Sequence, residues 1–228
     1  MPRAVEKRPA HPAANPPSPG PRPPRRDNGR HGVAGVTVAN MDMRPFKQPS
    51  QTFGPYDAGA PKVAPDTSTP ARCTAVAIEN AIRRDALETG VFIAADGREL
   101  LRRQGTPDRV AFMHSELLAI RGSTFTHNHP GGGGFSVGDV DTGKFAMLVE
   151  MRAVTVDFRH IMRDLHRIPT VKGIENFRLQ SHSMLVETVL DMVKRGIIRP
   201  ADAQKEAEHQ FWIALSQRFG FIYRRERS

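Results

Sequence analysis

The sequence predicts an α/β domain with a proline-rich tail before it and helices after it. Strand-like and helix-like segments alternate between residues 123 and 158, a pattern typical of a sheet with a helical layer. Fifteen of the nineteen prolines precede residue 72, and a segment of that composition buries too little apolar surface to fold. We therefore predict a disordered basic tail over residues 1–72, a folded domain over 73–170 and a helical C-terminal extension over 171–228.

The first elements of the domain follow from apolar spacing and from turn signals. Apolar residues at helical intervals predict a helix from about Ala75 to Leu87. The run from Gly90 to Ala95 is rich in strand formers, and Asp96-Gly97 is a strong turn signal ahead of Arg98 to Arg103. This stretch predicts a hairpin. The next two predicted elements are a strand at Val110 to Met113 and a short helix at Ser115 to Ile120.

A strand, a helix and a second strand come next. Ser123 to His127 predicts a strand that ends at a pair of histidines. Ser136 begins a predicted helix that runs to about Glu150, and Ala153 to Phe158 predicts the following strand. Two amphipathic helices are then predicted at Ser183 to Ile198 and at Ala201 to Phe219, with a break between them at Arg199-Pro200.

The charge of the chain excludes few partners, although its distribution is informative. The formal net charge is +9, but much of the excess lies in the proline-rich tail and at the C-terminal end. Charge in flexible ends attracts phosphate weakly and does not favour specific recognition of nucleic acid. Cys73 is the single cysteine, so no internal disulfide forms. No secretory signal or membrane-spanning run is present, and we expect a cytoplasmic protein, with secretion by a nonclassical route left open.

The segment Thr126-His127-Asn128-His129-Pro130 carries the strongest functional signal. Side chains two residues apart on a strand point to the same side, so His127 and His129 would present both imidazoles to one point. Pro130 lacks an N–H and ends the strand, and the glycines at 131–134 let the chain turn back toward the histidines. Two imidazoles and a nearby carboxylate make up a catalytic zinc site that keeps a position for water.

Asp139, one turn into the helix that follows, is the candidate third ligand. A second interpretation competes with it, because Ser136-Val137-Gly138-Asp139 also has the spacing of a helix capping box. In that arrangement Ser136 and Asp139 bind the free N–H groups of the helix start. Asp141 is a spare carboxylate on the same helix.

These residues resemble the JAB/MPN (JAMM) zinc metalloprotease superfamily and its RadC-like bacterial branch. The matching elements are a glutamate ahead of a strand (Glu88 to Ile93), the H-x-H-P block (His127 to Pro130) and the serine-aspartate block (Ser136 to Asp139). The loop between the second histidine and the serine is shorter than the family's pattern by a single residue. The resemblance implies a mixed sheet with flanking helices, similar to the cytidine deaminase fold.

The resemblance also implies the roles of the site residues. His127, His129 and Asp139 would bind Zn²⁺, Glu88 would act as the general acid and base, and Ser136 would stabilise the oxyanion. The implied reaction is hydrolysis of a peptide or isopeptide bond in a protein or peptide substrate. Other glutamates compete with Glu88 for the role of the base: Glu79, Glu99 and Glu116.

Other functions are weighed against hydrolysis. The stretch from Thr126 to Ser136 also resembles phage head-morphogenesis proteins and bacterial toxin modules, which leaves open a noncatalytic structural or interaction module. Such a module would dock a protein partner through the C-terminal helices, whose aromatic and apolar residues alternatively cover the core: Phe211, Trp212, Leu215, Phe219 and Tyr223. A nucleotide site is not favoured, because Phe145 replaces the Ser or Thr that a phosphate-binding loop needs after Lys144.

Overall fold

Six strands form one mixed sheet in residues 62–227, the part of the chain that the computed structural model describes. In chain order they are β1 (Thr89–Ile93), β2 (Glu99–Gln104), β3 (Thr124–Asn128), β4 (Glu150–Val154), β5 (Phe158–Arg163) and β6 (Ile222–Arg227). Across the sheet the order is β2-β1-β3-β4-β5-β6. Only β3 and β4 run parallel to each other. The predicted α/β class and mixed sheet are confirmed. Residues 1–61 of the predicted tail lie outside the described residues.

Helices cover both faces of this sheet. They are α1 (Pro70–Ile82), α2 (His114–Ala119), α3 (Val137–Phe145), α4 (Val171–Lys194) and α5 (Ala203–Phe219). On one face, α1 packs against Val91, Ile93 and Val154. The alternate strand residues, among them Phe92 and Phe125, join a larger core with the other helices. The alternation of side chains along each strand therefore separates the two helical layers.

The parallel pair β3 and β4 is joined by α3, which forms a strand-helix-strand unit. Parallel neighbours need such a crossover because a tight turn cannot bring the second strand back in the same direction. In this unit His127 pairs with Gly90 of β1 and with Ala153 of β4, so it lies in the middle of the sheet. The loop that leaves β3 and the start of α3 thus lie beside the histidine pair.

Several element boundaries differ from the sequence prediction. The first helix begins five residues earlier than predicted, because Thr69 caps it and Pro70 supplies its first turn. The helix predicted to run to about Glu150 ends at Phe145, and Met147 then adopts a positive φ of 50° ahead of β4. Our prediction of a single strand from Ala153 to Phe158 was wrong. Thr155 instead begins a turn that separates β4 from β5, since its hydroxyl accepts from the N–H of Phe158.

The strand predicted at Val110 to Met113 is absent, because side chains bind the polar groups of that backbone. Arg103 donates to the carbonyl of Ala111 at 2.9 Å. The N–H of Met113 donates to the carboxylate of Glu116, which caps α2. With these groups bound, the segment forms no ladder beside β2, and it remains an extended loop.

The segment expected as a helical extension contributes to the same sheet. Helix α4 is longer than predicted, and α5 lies close to its predicted bounds. The 3-10 turn Pro200–Asp202 separates the two helices. The chain then enters β6, which pairs with β5. Phe211, Trp212 and Leu215 are fully buried inside the chain. Within residues 62–227, no helix has both the length and the apolar character needed to cross a membrane.

Two buried histidines link α5 to the sheet through a tyrosine. Nδ1 of His160 in β5 and Nδ1 of His209 in α5 lie 3.1 and 2.9 Å from the hydroxyl of Tyr223 in β6. Burial lowers the pKa of His160 well below its usual value, and the neighbouring charges of His209 and Arg225 lower it further. Burial, with the charge of Arg225, lowers the pKa of His209 to about 3. Both side chains are therefore neutral in the folded protein near pH 7.

This pair predicts a loss of stability in mild acid. Because the pKa of each histidine is lower in the folded chain, the unfolded chain binds more protons once the pH falls below about 6.5. We expect each histidine to remove about 1 kcal/mol of unfolding free energy between about pH 7.5 and about pH 5.5. Urea unfolding at the two pH values measures this, and His209→Gln should reduce the pH dependence. The exposed His182→Gln is the control. If the unfolding free energy of His209→Gln depends on pH as strongly as that of the control, His209 does not have a lowered pKa in the folded chain.

Candidate metal centre

His127 is the most deeply buried member of the site. Its side chain is 1% exposed, and its Nδ1 lies 2.9 Å from the carbonyl oxygen of Arg152 on β4. That contact fixes the ring orientation and leaves Nε2 facing away from the sheet. Nε2 is buried and has no hydrogen-bond partner among residues 62–227.

His129 follows the last residue of β3 and continues its pairing, since its N–H donates to the carbonyl of Val154 at 2.9 Å. Its Nδ1 lies 3.1 Å from the carbonyl of Gly133, so the glycine loop orients the second ring as β4 orients the first. Gly132 provides the turn in this loop with a positive φ of 75°, a conformation that costs glycine little. The two imidazole rings are 4.5 Å apart between centroids, on the same side of β3.

Asp139 both caps α3 and faces the histidines. Its Oδ2 accepts from the N–H of Ser136 at 2.7 Å, and its own N–H donates to the hydroxyl of Ser136 at 3.0 Å. The same Oδ2 lies 3.7 Å from Nε2 of His127 and 3.5 Å from Nε2 of His129. The two interpretations of Ser136 and Asp139 are therefore compatible, because the cap holds the carboxylate in the direction of the imidazoles.

Glu88 approaches the same imidazoles from the start of β1. One ligand atom from each of Glu88, His127 and His129 lies within 4.8 Å of the others, so these three side chains could hold a metal ion. The residue is 5% exposed. Two carboxylates, Glu88 and Asp139, thus flank the histidine pair.

The other acidic residues considered from the sequence are engaged elsewhere. Glu79 is buried on the sheet-facing side of α1, in ion pairs with Arg152 and Arg159. Glu99 pairs with Arg102 on the surface, and Glu116 caps α2 while it binds Arg103. Asp141 is exposed on α3 and, like these three glutamates, does not line the cavity described below.

The electrostatics of the site favour a cation. Burial disfavours the charged form of His127, but the carboxylates of Asp139 and Glu88 outweigh that effect and raise its pKa. Burial and the charge of His127 lower the pKa of His129 to about 4. Although burial opposes it, contact with both histidines and with the N–H of Ser136 lowers the pKa of Asp139. Burial raises the pKa of Glu88.

The site opens into a cavity of about 630 Å³. Glu88, His127, His129, Ser136 and Asp139 all line it. Ser136 is exposed there, and its hydroxyl accepts from the helix N–H while its own proton stays available to a bound molecule. The five residues proposed from the sequence therefore face one volume that a substrate could enter.

The donor set fits a divalent transition metal. A distance of 3.7 Å is too long for a hydrogen bond, so the buried Nε2 of His127 has an unused lone pair or proton beside a carboxylate. An unpaired polar atom in the interior costs free energy, and coordination to a cation removes that cost. Two imidazoles and a carboxylate are the ligands of many catalytic zinc sites.

Comparison with known proteins gives no match: no family model fits the chain, and neither a curated protein nor a solved structure is found to be similar to it.

Asn128, between the two histidines, supports Glu88 from the other side of β3. Its side chain is buried, its oxygen accepts from the N–H of Thr89 at 2.7 Å, and its nitrogen donates to the carbonyls of Asp85 and Leu87. The alternation of side chains along β3 turns Asn128 away from the histidines, and the sequence pattern alone indicates no function for it. Its amide holds the chain on both sides of Glu88.

We expect Asn128→Ala to destabilise the protein and to loosen Glu88 without removing a ligand. Three backbone groups would lose their partner, at a cost of about 1–3 kcal/mol for the buried N–H of Thr89 and less for the carbonyls of Asp85 and Leu87, which water can reach. Urea unfolding measures the stability, and metal analysis should show that zinc binding is retained. The exposed Asn176→Ala on α4 is the matched control. Equal stability in the two variants would contradict this role.

Proposed function

We propose that this chain is a zinc-dependent hydrolase of peptide or isopeptide bonds, built on a JAB/MPN-type domain. The observation that carries the proposal is that Glu88 and Asp139 each approach the His127–His129 pair in the wall of one cavity. The H-x-H-P block and the serine-aspartate block, which supply these side chains, support the same assignment.

The two carboxylates differ in a way that supports separate roles. The pKa of Asp139 is lowered by its contacts with the histidines, so this carboxylate stays charged and suits a metal ligand. The pKa of Glu88 is raised by burial, so this carboxyl group can accept and release a proton nearer to neutral pH. Carboxylates whose surroundings move their pKa values apart are typical of acid-base pairs in active sites.

Zinc, when bound by His127, His129 and Asp139, would supply a water of lowered pKa and a Lewis acid for the carbonyl oxygen. Glu88 would take a proton from the attacking water as the water oxygen bonds to the carbonyl carbon. The hydroxyl of Ser136 donates to the carbonyl oxygen as that oxygen gains negative charge. Glu88 would then return the proton to the amine nitrogen as the carbon–nitrogen bond breaks. The products are an amine and a carboxylic acid, which gives its remaining proton to solvent.

Metal analysis and peptide cleavage test this proposal together. Protein purified without chelators should contain about one equivalent of zinc. Zinc-loaded protein should cleave members of a mixed peptide library, as detected by mass spectrometry, and chelation should stop the cleavage. A chain that binds no zinc at micromolar concentration contradicts the metal site. A chain that binds zinc but cleaves no peptide or isopeptide bond contradicts the hydrolase and favours the noncatalytic module.

A further inference from the structure

The cavity continues from the histidines along β3 onto an aromatic surface. Phe125 precedes His127 by two residues on the same side of the strand, and the two rings stack with centroids 4.9 Å apart. In the neighbouring strand β1, Phe92 pairs with Phe125, just as Gly90 pairs with His127. The two-residue repeat of a strand spans about 7 Å, so an aromatic region begins about 7 Å along β3 from the candidate metal ligands.

This region, the apolar part of the cavity, is defined by six side chains. Phe92 and Phe125 stack at 4.4 Å, and the ring of Phe112 meets both edge to face at 4.8 and 5.9 Å. The six residues that line it are Phe92, Val110, Phe112, Leu117, Phe125 and Leu148. The charged residues Asp108 and Arg109 also line the cavity but are exposed, which places them toward solvent.

The composition of this region selects its occupant. A polar or charged side chain placed among these rings would lose its hydrogen bonds to water and gain none from the six apolar side chains. A glycine would leave the space unfilled. A large apolar side chain such as Phe, Leu or Met gains most, because it replaces water with aromatic and aliphatic contacts.

We propose that the apolar part of the cavity is a specificity pocket for a large apolar side chain, carried by the substrate residue beside the bond that is cleaved. The proposal rests on the proposed function for the identity of that bond, but the pocket itself can be tested without catalysis. Its continuity with the metal ligands through Phe125 places the occupant next to the reacting carbonyl. The half-buried Val110 and Phe112, on the loop between β2 and α2, form one side of it.

Binding of capped single amino acids to the zinc-loaded protein tests the pocket directly. The probes are N-acetyl-phenylalaninamide, N-acetyl-glycinamide and N-acetyl-lysinamide, with dissociation constants from NMR titration. We expect the phenylalanine probe to bind about ten- to a hundredfold more tightly than the other two. Val110→Phe should fill the pocket and remove this preference. Val156→Phe, the same change at an exposed turn, should leave it intact.

The outcomes separate this pocket from the proposed hydrolysis. If the phenylalanine probe binds no better than the glycine probe, or if Val110→Phe retains the preference while it binds zinc, the pocket is wrong whatever the protein cleaves. If the preference holds but no peptide is cut, the pocket stands and the hydrolase is wrong. If peptides are cut, the cleavage sites should be enriched in large apolar residues at one adjacent position, and a uniform distribution overturns the proposal.

Discussion

Replacement of His127 by Ala is expected to abolish stoichiometric zinc binding and, with it, any hydrolysis. His127 is held in the middle of the sheet by β1 and β4, and its Nδ1 contact with Arg152 leaves Nε2 for the metal. Loss of a supporting contact alone lowers metal affinity about 10- to 100-fold in zinc proteins, and removal of a ligand should cost more. Zinc content per chain, after dialysis against metal-free buffer, measures the effect.

Two further variants make this result interpretable. His182→Ala changes an exposed histidine of α4 and should keep about one equivalent of zinc. Because the buried ring of His127 also fills space, circular dichroism must show that the variant is folded. His129→Ala offers a second ligand deletion at a more exposed position, with a side chain 14% exposed. A folded His127→Ala protein that retains stoichiometric zinc excludes His127 as a ligand.

The centre of the site could be predicted from sequence because it depends on local rules. The period of two along a strand predicts that His127 and His129 face one way and that Asn128 faces the other. The structure has this arrangement, with the rings 4.5 Å apart and the Asn128 amide directed to the chain around Glu88. The hairpin at Asp96-Gly97 follows a rule of the same kind, and it pairs β1 with β2.

The choice among acidic residues could not be made from sequence, because it depends on distant partners. Glu79 and Glu88 look alike in the sequence, but Glu79 meets arginines more than seventy residues away, on β4 and β5. Glu88 has none of these partners and instead faces the histidines. Only the pairing of β1 with β3 brings Glu88 to that position.

The strands that sequence reasoning missed have features that a local pattern does not reveal. The β4–β5 turn lies inside an apolar run, and it forms because the Thr155 hydroxyl binds the N–H of Asp157 and of Phe158. Strand β6 carries four charged residues in six, which resembles a solvated tail. Its charges find partners only in the fold, as in the ion pair between Arg225 and Glu206 of α5.

Replacement of Glu88 by Gln is expected to abolish hydrolysis while zinc binding persists. Gln has nearly the same shape, but it cannot accept and return a proton, and loss of a general base typically costs 10²–10⁴-fold in rate. The ligand assignment of His127, His129 and Asp139 predicts that the zinc content stays near one equivalent. Cleavage of the best library peptide, measured with zinc-loaded wild type and variant, gives the ratio of kcat/KM values.

Glu99→Gln is the matched control, because Glu99 pairs with Arg102 on the surface and lies outside the cavity. The same change there should leave the rate within about twofold, as expected for a surface substitution. The role of Glu88 is decided by whether Glu88→Gln loses only the hydrolysis rate or loses bound zinc as well. If Glu88→Gln loses zinc as completely as His127→Ala, then Glu88 is itself a ligand of the metal, as its position within 4.8 Å of both histidines permits, and the proton must be carried by another group.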